Sequence, residues 1–462
     1  MKAEKLTKNQ SVDANLAELS AFLTANSDIE AVDCVFVDLC GTIRGKRYPV
    51  AEIAKVFQAG LQMPFTIYLL DARGETTDAT GRGYGDGDPD GIAHVVPGTL
   101  ARIAGTRKPH AQVLMSLTDN NGLPYFAEPR NVLQSVAARF RELELRPTIA
   151  AELEFFLLDK DRLDFGAPQP PLVPGTLERE ASVSVYGVQD LDRYVEFLED
   201  VAEAARIQGV PATTVTSEHA PGQFEVNLHH QNDAALAANH AVFLRQIIRG
   251  AANRHGMDAS FMAKPYLNAP GSGMHIHVSL VHKSGRNVFD DGTPQGSELL
   301  RYAVGGLQAI MGEGMAVFAP NVNSYRRFVP NAFTPMNRRW GYNNRSTGIR
   351  IPAGAMDARR IEHRVSGADA NPYLAIAAVL AGIHYGIINR LDPGQPFEGN
   401  AGGFTDVTVP FAIDSALLAM ENGKIIGEYF SPAYVDVYCA TKRVELARFR
   451  QHIPPQEYSW YL

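Results

Sequence analysis

The stretch GSGMHIHVSL, residues 271–280, brings two imidazoles and a hydroxyl close together in the chain. Its Gly-Ser-Gly opening carries little side-chain bulk, so the backbone there can approach a ligand closely. The residues that follow alternate like a strand. That sets His275, His277 and Ser279 on one face and Met274, Ile276 and Val278 on the other. His-x-His is a short pattern, and alone it fits equally well a half-exposed strand whose histidines meet solvent. Acidic residues elsewhere bear on the choice. In AAELEFFLLD, Glu152 and Glu154 share one face of an apolar strand, roughly 7 Å apart along it. Two such carboxylates repel each other unless a cation sits between them. Glu218 and Glu225 flank a Pro-Gly turn in SEHAPGQFEVNL, which by itself reads as a hairpin with surface acids. Glu362 lies in RRIEHR among Arg359, Arg360 and Arg364, which by itself reads as a salt-bridged surface strand.

Together these segments offer five glutamates and two histidines, with no thiolate among them. Such an oxygen-rich donor set suits Mg²⁺ or Mn²⁺ rather than structural zinc. Residues 321–364 carry nine arginines. A guanidinium fork pairs phosphate oxygens two at a time. Cation ligands, arginines and a glycine turn imply phosphoryl chemistry. The chain has no G-x-x-x-x-G-K-[ST] segment, so it is not a P-loop protein.

The elements that must hold these residues follow from patterning. Helices are expected over Val12–Thr24, Val50–Ala59, Glu128–Leu145, Asp192–Gln208, Asp233–His255 and Leu299–Met311, with further helices in the last ninety or so residues. Strands are expected over Val32–Asp38, Phe65–Leu70, Val113–Leu117, Thr148–Leu158 and Gly222–His230, with a hairpin turn at TDNNG. Residues 78–91, DATGRGYGDGDPDG, read as a loop, either a solvated connection or a flexible acidic contact surface. Residues 321–364 read as irregular. Strands and helices interleave without a regular βαβ rhythm, so the class is α+β, with a boundary after residue 122.

Composition narrows the partners. The chain has 462 residues, 45% of them hydrophobic, and a formal charge of −8. An acidic excess argues against a nucleic-acid footprint. Three cysteines, Cys34, Cys40 and Cys439, lack metal spacing and suit a reducing compartment. No secretory signal is read at the N-terminus. The longest apolar run, Pro372–Ile388, is interrupted by His384 and reads as a buried helix rather than a membrane span. A cytoplasmic location follows as an expectation.

Six collinear segments carry a family resemblance over nearly the whole length. They are ELEF from Glu152, EHAPGQFE from Glu218, GSGMHIH from Gly271, NSYRRFVP from Asn323, NNRSTGIRIP from Asn343, and RRIEHR followed by ANPYLA. In these the chain resembles the type I glutamine synthetase family. The resemblance implies a small N-terminal β-grasp domain, residues 1–122. It implies a catalytic domain, residues 123–462, with a curved antiparallel sheet flanked by helices. It also implies a homo-oligomer, a dodecamer of two hexameric rings. By motif position, Glu154, Glu218 and Glu225 correspond to ligands of one divalent metal. Glu152, His275 and Glu362 correspond to ligands of the second, which bridges the ATP phosphates. Arg345, Arg350 and Arg360 correspond to arginines on the transferring phosphate, and His277 and Ser279 line the nucleotide side. Gly271, Arg327, Arg345 and Arg364 correspond to the glutamate site.

Three departures bear on the amine. The family's N-terminal Asp-Gly-Ser-Ser loop has no match; the comparable place reads PFTIYLLD. The flap glutamate that the family uses beside ammonium aligns with Phe333, which neither accepts a proton nor attracts a cation. The FEGNAGGF segment lacks the tyrosine that type I enzymes modify. VDLCGTIRGKR, GDPD, MAKPY and NSYRRF look most like the γ-glutamylpolyamine ligases. The expected activity is therefore ATP-dependent joining of L-glutamate to a polyamine, with Mg²⁺ or Mn²⁺. Asp86, Asp88 and Asp90 are candidates for the amine's charge and Phe333 for its apolar wall. A ligase for ethanolamine or another monoamine, a divergent glutamine synthetase using ammonia, and a non-catalytic ligand-binding relative stand as alternatives.

Overall fold

The computed structural model of the chain describes residues 2–180 and 185–462, with side chains from residue 12 onward. Two sheets organise it. The first contains β1 (Ala31–Val37), β2 (Ile43–Pro49), β3 (Leu61–Pro64), β4 (Asp90–Val95), β5 (Ala101–Arg102) and β6 (His110–Thr118). Its strand order is β2-β1-β6-β4-β3, with β5 paired to β6. β1 and β6 run parallel, and the other pairings are antiparallel. Helix α1 (Lys2–Ala25) packs on α2 (Val50–Ala59), and α2 turns Ile53, Val56 and Phe57 into the core.

The strand expected over Phe65–Leu70 does not form. β3 ends at Pro64, and Phe65–Tyr68 is a tight 3₁₀ turn closed by Leu69 N–H donating to Thr66 O. The run is apolar because it is buried all round, with Phe65 stacked on Tyr125 at 4.6 Å. Continuous burial without alternation does not separate a strand from a turn.

The second sheet holds β7 (Leu145–Asp159), β8 (Ala212–Ser217), β9 (Gln223–Leu228), β10 (Met257–Ser260), β11 (Met274–His282), β12 (Trp340–Tyr342), β13 (Ile349–Ile351) and β14 (Ile361–His363). Its order is β12-β13-β14-β11-β7-β9-β8, with β10 beside β7. The segment expected to be irregular thus supplies three short strands at one end of the sheet, with β12 outermost. β7 is the spine, with 15 residues pairing to β9, β10 and β11.

The helices are α3 (Pro129–Ala138), α4 (Val188–Arg193), α5 (Val195–Ile207), α6 (Ala234–Arg254), α7 (Glu298–Phe318), α8 (Pro372–Asn389), α9 (Ile413–Glu421), α10 (Lys424–Phe430), α11 (Pro432–Arg450) and α12 (Pro455–Tyr461). α3 is shorter than expected, because residues 139–143 tighten into a 3₁₀ turn. α6 starts where Asp233 caps Leu236 N–H at 3.0 Å. α8 is long and apolar enough to cross a membrane by length and composition, but 83% of it is buried inside the protein. It packs on α7 through glycines: a Cβ on Gly306 would sit 1.9 Å from Gly382 O. Asn371 caps α8 and donates through Nδ2 to Asp38 O at 2.9 Å, which ties the first sheet to the helical layer. The fold is α+β, as the interleaving of elements predicts.

Candidate active site

The site is written across the second sheet by register. Glu225 of β9 lies opposite Glu154 of β7, and Glu152 of β7 lies opposite His275 of β11. His277 of β11 lies opposite Glu362 of β14, which lies opposite Arg350 of β13. Neighbouring strands sit about 4.8 Å apart, so these pairs form a diagonal row. The opposite face carries Leu153, Phe155, Met274, Ile276 and Val278, all buried, and this apolar layer holds the row in place. The alternation read in both strands is the one observed.

One cavity of about 650 Å³ collects most of the expected residues. Glu152, Glu154, Glu218, Glu225, Glu362, His275 and His277 line it, with Arg327, Arg345, Arg350, Arg360, Arg364, Gly271 and Phe333. Ser279 does not reach it. It lines an adjoining cavity of about 690 Å³ that shares Glu152, Asn227, His277 and Arg360 with the first. The two spaces therefore meet at the His277 and Arg360 pair.

Glu362 is not on the surface, contrary to its local sequence. Only 1% of it is exposed. Arg364 donates to its Oε1, and Arg350 donates to its Oε2 at 2.8 Å. Burial pushes its carboxyl up, but Arg364, His275, His277 and Arg350 outweigh that and hold it at about 2. Burial likewise pushes Glu152 up, and His277 and His275 overcome it, so its carboxyl titrates below the usual range. Arg360 Nε donates to His277 Nδ1 at 3.2 Å. A guanidinium only donates, so Nδ1 accepts in this contact, and Nε2 is the nitrogen turned towards the acids. That nitrogen lies 2.9 Å from Glu152 Oε1, a close contact set off the hydrogen-bond line.

Two groups of donor atoms converge within 4.8 Å: Glu152, His277 and Glu362, and Glu152, Glu225 and His275. His277, expected on the nucleotide side, thus also faces the acids. Glu154 and Glu218 share the cavity but stand outside both groups, and Glu154 Oε2 is engaged by Gly273 N–H at 2.7 Å. The electrostatics fit a cation. Burial, then repulsion from Glu152, Glu154, Glu218 and Glu362, pushes Glu225 up to about 9. Burial and Glu154 push Glu218 up as well. A donor set so short of positive charge, rich in oxygen with two imidazoles, suits a hard divalent ion.

Gly271 has a second role. A Cβ there would sit 2.3 Å from Arg327 Cγ, so the glycine makes room for the buried arginine as well as for a ligand. Arg327 Nη1 donates to Val365 O at 3.1 Å, which fixes its reach. Arg345 sits on a turn held from both sides. Asn344 Nδ2 donates to Phe397 O at 3.2 Å and Gly399 O at 2.9 Å, and Ala401 N–H donates to Ser346 Oγ at 2.8 Å. Gly402 O takes Asn331 N–H at 2.8 Å, so the same strap, residues 397–402, also holds the segment carrying Phe333. Arg339 anchors it, with its guanidinium 4.2 Å from the Phe397 ring and 4.0 Å from Phe404.

Asp86, Asp88 and Asp90 are not brought to this cavity. Asp88 accepts from Thr66 Oγ1 at 2.8 Å, Asp86 accepts from Gly83 N–H at 2.9 Å, and Asp90 begins β4. Loop-forming hydrogen bonds take up the first two carboxylates. Residues not singled out from sequence also line the cavity, among them Tyr186, His219, Gln223, Lys264 and Leu267. Gln223 Nε2 supports the Gly271 carbonyl at 3.1 Å. His219 and Gln223 lie inside the EHAPGQFE segment, between the two acids that carry its sequence signal.

Residues 126–461 match the model of the glutamine synthetase catalytic domain. The chain belongs to the glutamine synthetase family. With that catalytic domain present, it is a ligase of the family. It is 39% identical over 447 residues to the gamma-glutamylputrescine synthetase of Escherichia coli K12, covering 96% of this chain and 94% of that protein. It is 30% identical to a glutamate–isopropylamine ligase of a Pseudomonas species, covering 94% and 95%. Among solved structures it is similar to a GmaS/ADP complex, with a TM-score of 0.82 at 27% identity over 96% of this chain and 98% of that one.

Proposed function

We propose that this chain uses ATP to phosphorylate the γ-carboxylate of L-glutamate and then joins the acyl group to a primary amine, with polyamines as the substrate class. The carrying observation is the meeting, in one cavity, of five glutamates, three histidines and five arginines, together with Phe333. Similarity to the gamma-glutamylputrescine synthetase supports the amine class.

A carboxylate acylates poorly until an oxygen becomes a good leaving group. Glu152, His275 and Glu362, with Glu154, Glu218 and Glu225, would hold two divalent ions, Mg²⁺ or Mn²⁺. Such ions supply Lewis-acid neutralisation of phosphate charge when bound. Arg345, Arg350 and Arg360 stabilise charge on the moving phosphoryl group. Arg327, Arg364 and the Gly271 backbone hold glutamate. His277 and Ser279 lie towards the nucleotide. Phe333 leaves no carboxylate on the flap to draw in ammonium, so the amine must bring its own binding energy. The reading extends to a cytoplasmic dodecamer of two hexameric rings, divided near residue 122 into an N-terminal and a catalytic part.

The test is phosphate release from Mg-ATP and L-glutamate with ammonium, methylamine, ethanolamine, putrescine, cadaverine, spermidine and spermine. Turnover that favours a diamine or polyamine over ammonium is expected. Best turnover with ammonium would make this a divergent glutamine synthetase, and best turnover with ethanolamine would move the substrate class to monoamines. Silence with every amine, in a protein that binds ATP, would leave a ligand-binding relative.

A further inference from the structure

We infer that Tyr186, His219, Leu267 and Phe333 form an aromatic and apolar collar at the mouth of the glutamate cavity, and that it takes the hydrocarbon chain of the amine. The inference rests on the ligase reading above and names what selects the amine. All four residues line the cavity. Three are far more exposed than is usual for their size: Tyr186 at 61%, Leu267 at 79% and Phe333 at 64%. Exposed large apolar groups gathered at one opening mark a binding surface.

The collar is built from separate segments, each held in place. Tyr186 adopts a left-handed backbone at φ 61°, and its N–H donates to Ser217 O at 3.0 Å, beside the turn that carries Glu218. The His219 and Phe333 rings lie 4.5 Å apart between centroids. His219 Nδ1 sits 3.2 Å from Glu218 Oε2, so this ring pair stands directly beside a floor carboxylate. Leu267 rides on the segment that Lys264 Nζ closes onto Ala269 O.

The pattern of charge follows the shape of an alkylamine. The floor carries Glu154, Glu218 and Glu225, which attract an ammonium head. The rim carries rings and a branched aliphatic group. Among the described residues that line the cavity, the only carboxylates are these three glutamates with Glu152 and Glu362. The rim therefore reads hydrocarbon length, and a second ammonium meets ring faces, which attract cations weakly. Free ammonium has no chain to bury and gains nothing from the collar. Each methylene buried against it strengthens binding by about fourfold.

The test is kcat/KM across ammonium, methylamine, propylamine, butylamine, putrescine and spermidine in wild type, Tyr186→Ala, Leu267→Ala and Phe333→Leu, with circular dichroism to establish folding. Wild type is expected to gain with chain length. The butylamine-to-methylamine ratio is expected to fall about tenfold in Tyr186→Ala and Leu267→Ala. In Phe333→Leu, which keeps the apolar wall and loses the ring, the ratio of putrescine to butylamine should fall while the length dependence stays. Unchanged length dependence in both alanine variants, with a wild type that favours long amines, overturns the collar and leaves the ligase reading standing. A wild type that favours ammonium overturns both.

Discussion

Replacing Glu362 with Gln tests whether the row of charged residues is held by buried ion pairing. The carboxylate is 1% exposed and meets two guanidiniums, and Arg364 beside it is 3% exposed. Removing one partner of a buried pair costs about 3–5 kcal/mol, because a charge stays behind without compensation. Two features reduce that figure. The Arg350 side chain is 12% exposed and lines the cavity, and the Gln amide oxygen still accepts one hydrogen bond. The expected loss is about 2–4 kcal/mol. Trp340 is a fitting reporter, since it is buried on β12 at the same sheet edge. Chemical denaturation of metal-free protein followed by tryptophan fluorescence reads the loss. A double-mutant cycle with Arg350→Gln should give a coupling of about 1.5–3 kcal/mol. A Glu362→Gln protein within about 0.5 kcal/mol of wild type would refute the reasoning, since surface substitutions stay inside that range.

Four other outcomes are expected. Glu128 is buried, accepts from Leu117 N–H at 2.7 Å, and is pushed by burial up to about 7. The folded state therefore holds its proton more tightly than the unfolded chain, and this contribution is full below pH 4.5 and lost as pH rises through about 7. The melting temperature of wild type should drop more between pH 5 and 8 than that of Glu128→Gln; parallel profiles would contradict this. Gly306→Ala forces a Cβ onto Gly382 O between α7 and α8, and should destabilise by about 3 kcal/mol, the upper end for overpacking. Gly427→Ala in α10, with open space around it, should be neutral or stabilising by up to about 1 kcal/mol in the same unfolding assay. Arg339→Ala should loosen the strap over Arg345 and lower kcat about tenfold with a smaller change in glutamate KM, and Arg339→Lys should recover little, because it cannot stack between two rings. Equal rises in KM with kcat intact would argue that the strap only packs.

The period of two in ELEF and MHIHVSL was enough to place Glu152, Glu154, His275 and His277 on one surface, because alternation is a local property. Glu362 was not legible in the same way. Its neighbours Arg360 and Arg364 suggest solvent, whereas its burial comes from pairing with β11, more than eighty residues earlier. The turn at Phe65 is masked by an apolar run that burial explains whichever way the backbone goes. Asp88 sits in a glycine-rich loop as a candidate for the amine's charge, yet Thr66, twenty-two residues away, donates to its carboxylate. The collar has no sequence period at all, since its members sit in separate connections and meet only where the strands end.

The diagonal row has a consequence for how the chain finds its fold. Four strand junctions, β9 to β7, β7 to β11, β11 to β14 and β14 to β13, must each settle in one register to make it. A slip of one residue at any of them would turn Glu152, Glu225 or Glu362 into the apolar layer and a leucine, phenylalanine or isoleucine into the cavity. Misregistered sheets are thereby penalised by the same carboxylates that line the site. These acids act as a proofreading code for strand alignment, so a change that spares the chemistry but removes a charge also removes a safeguard against mispairing.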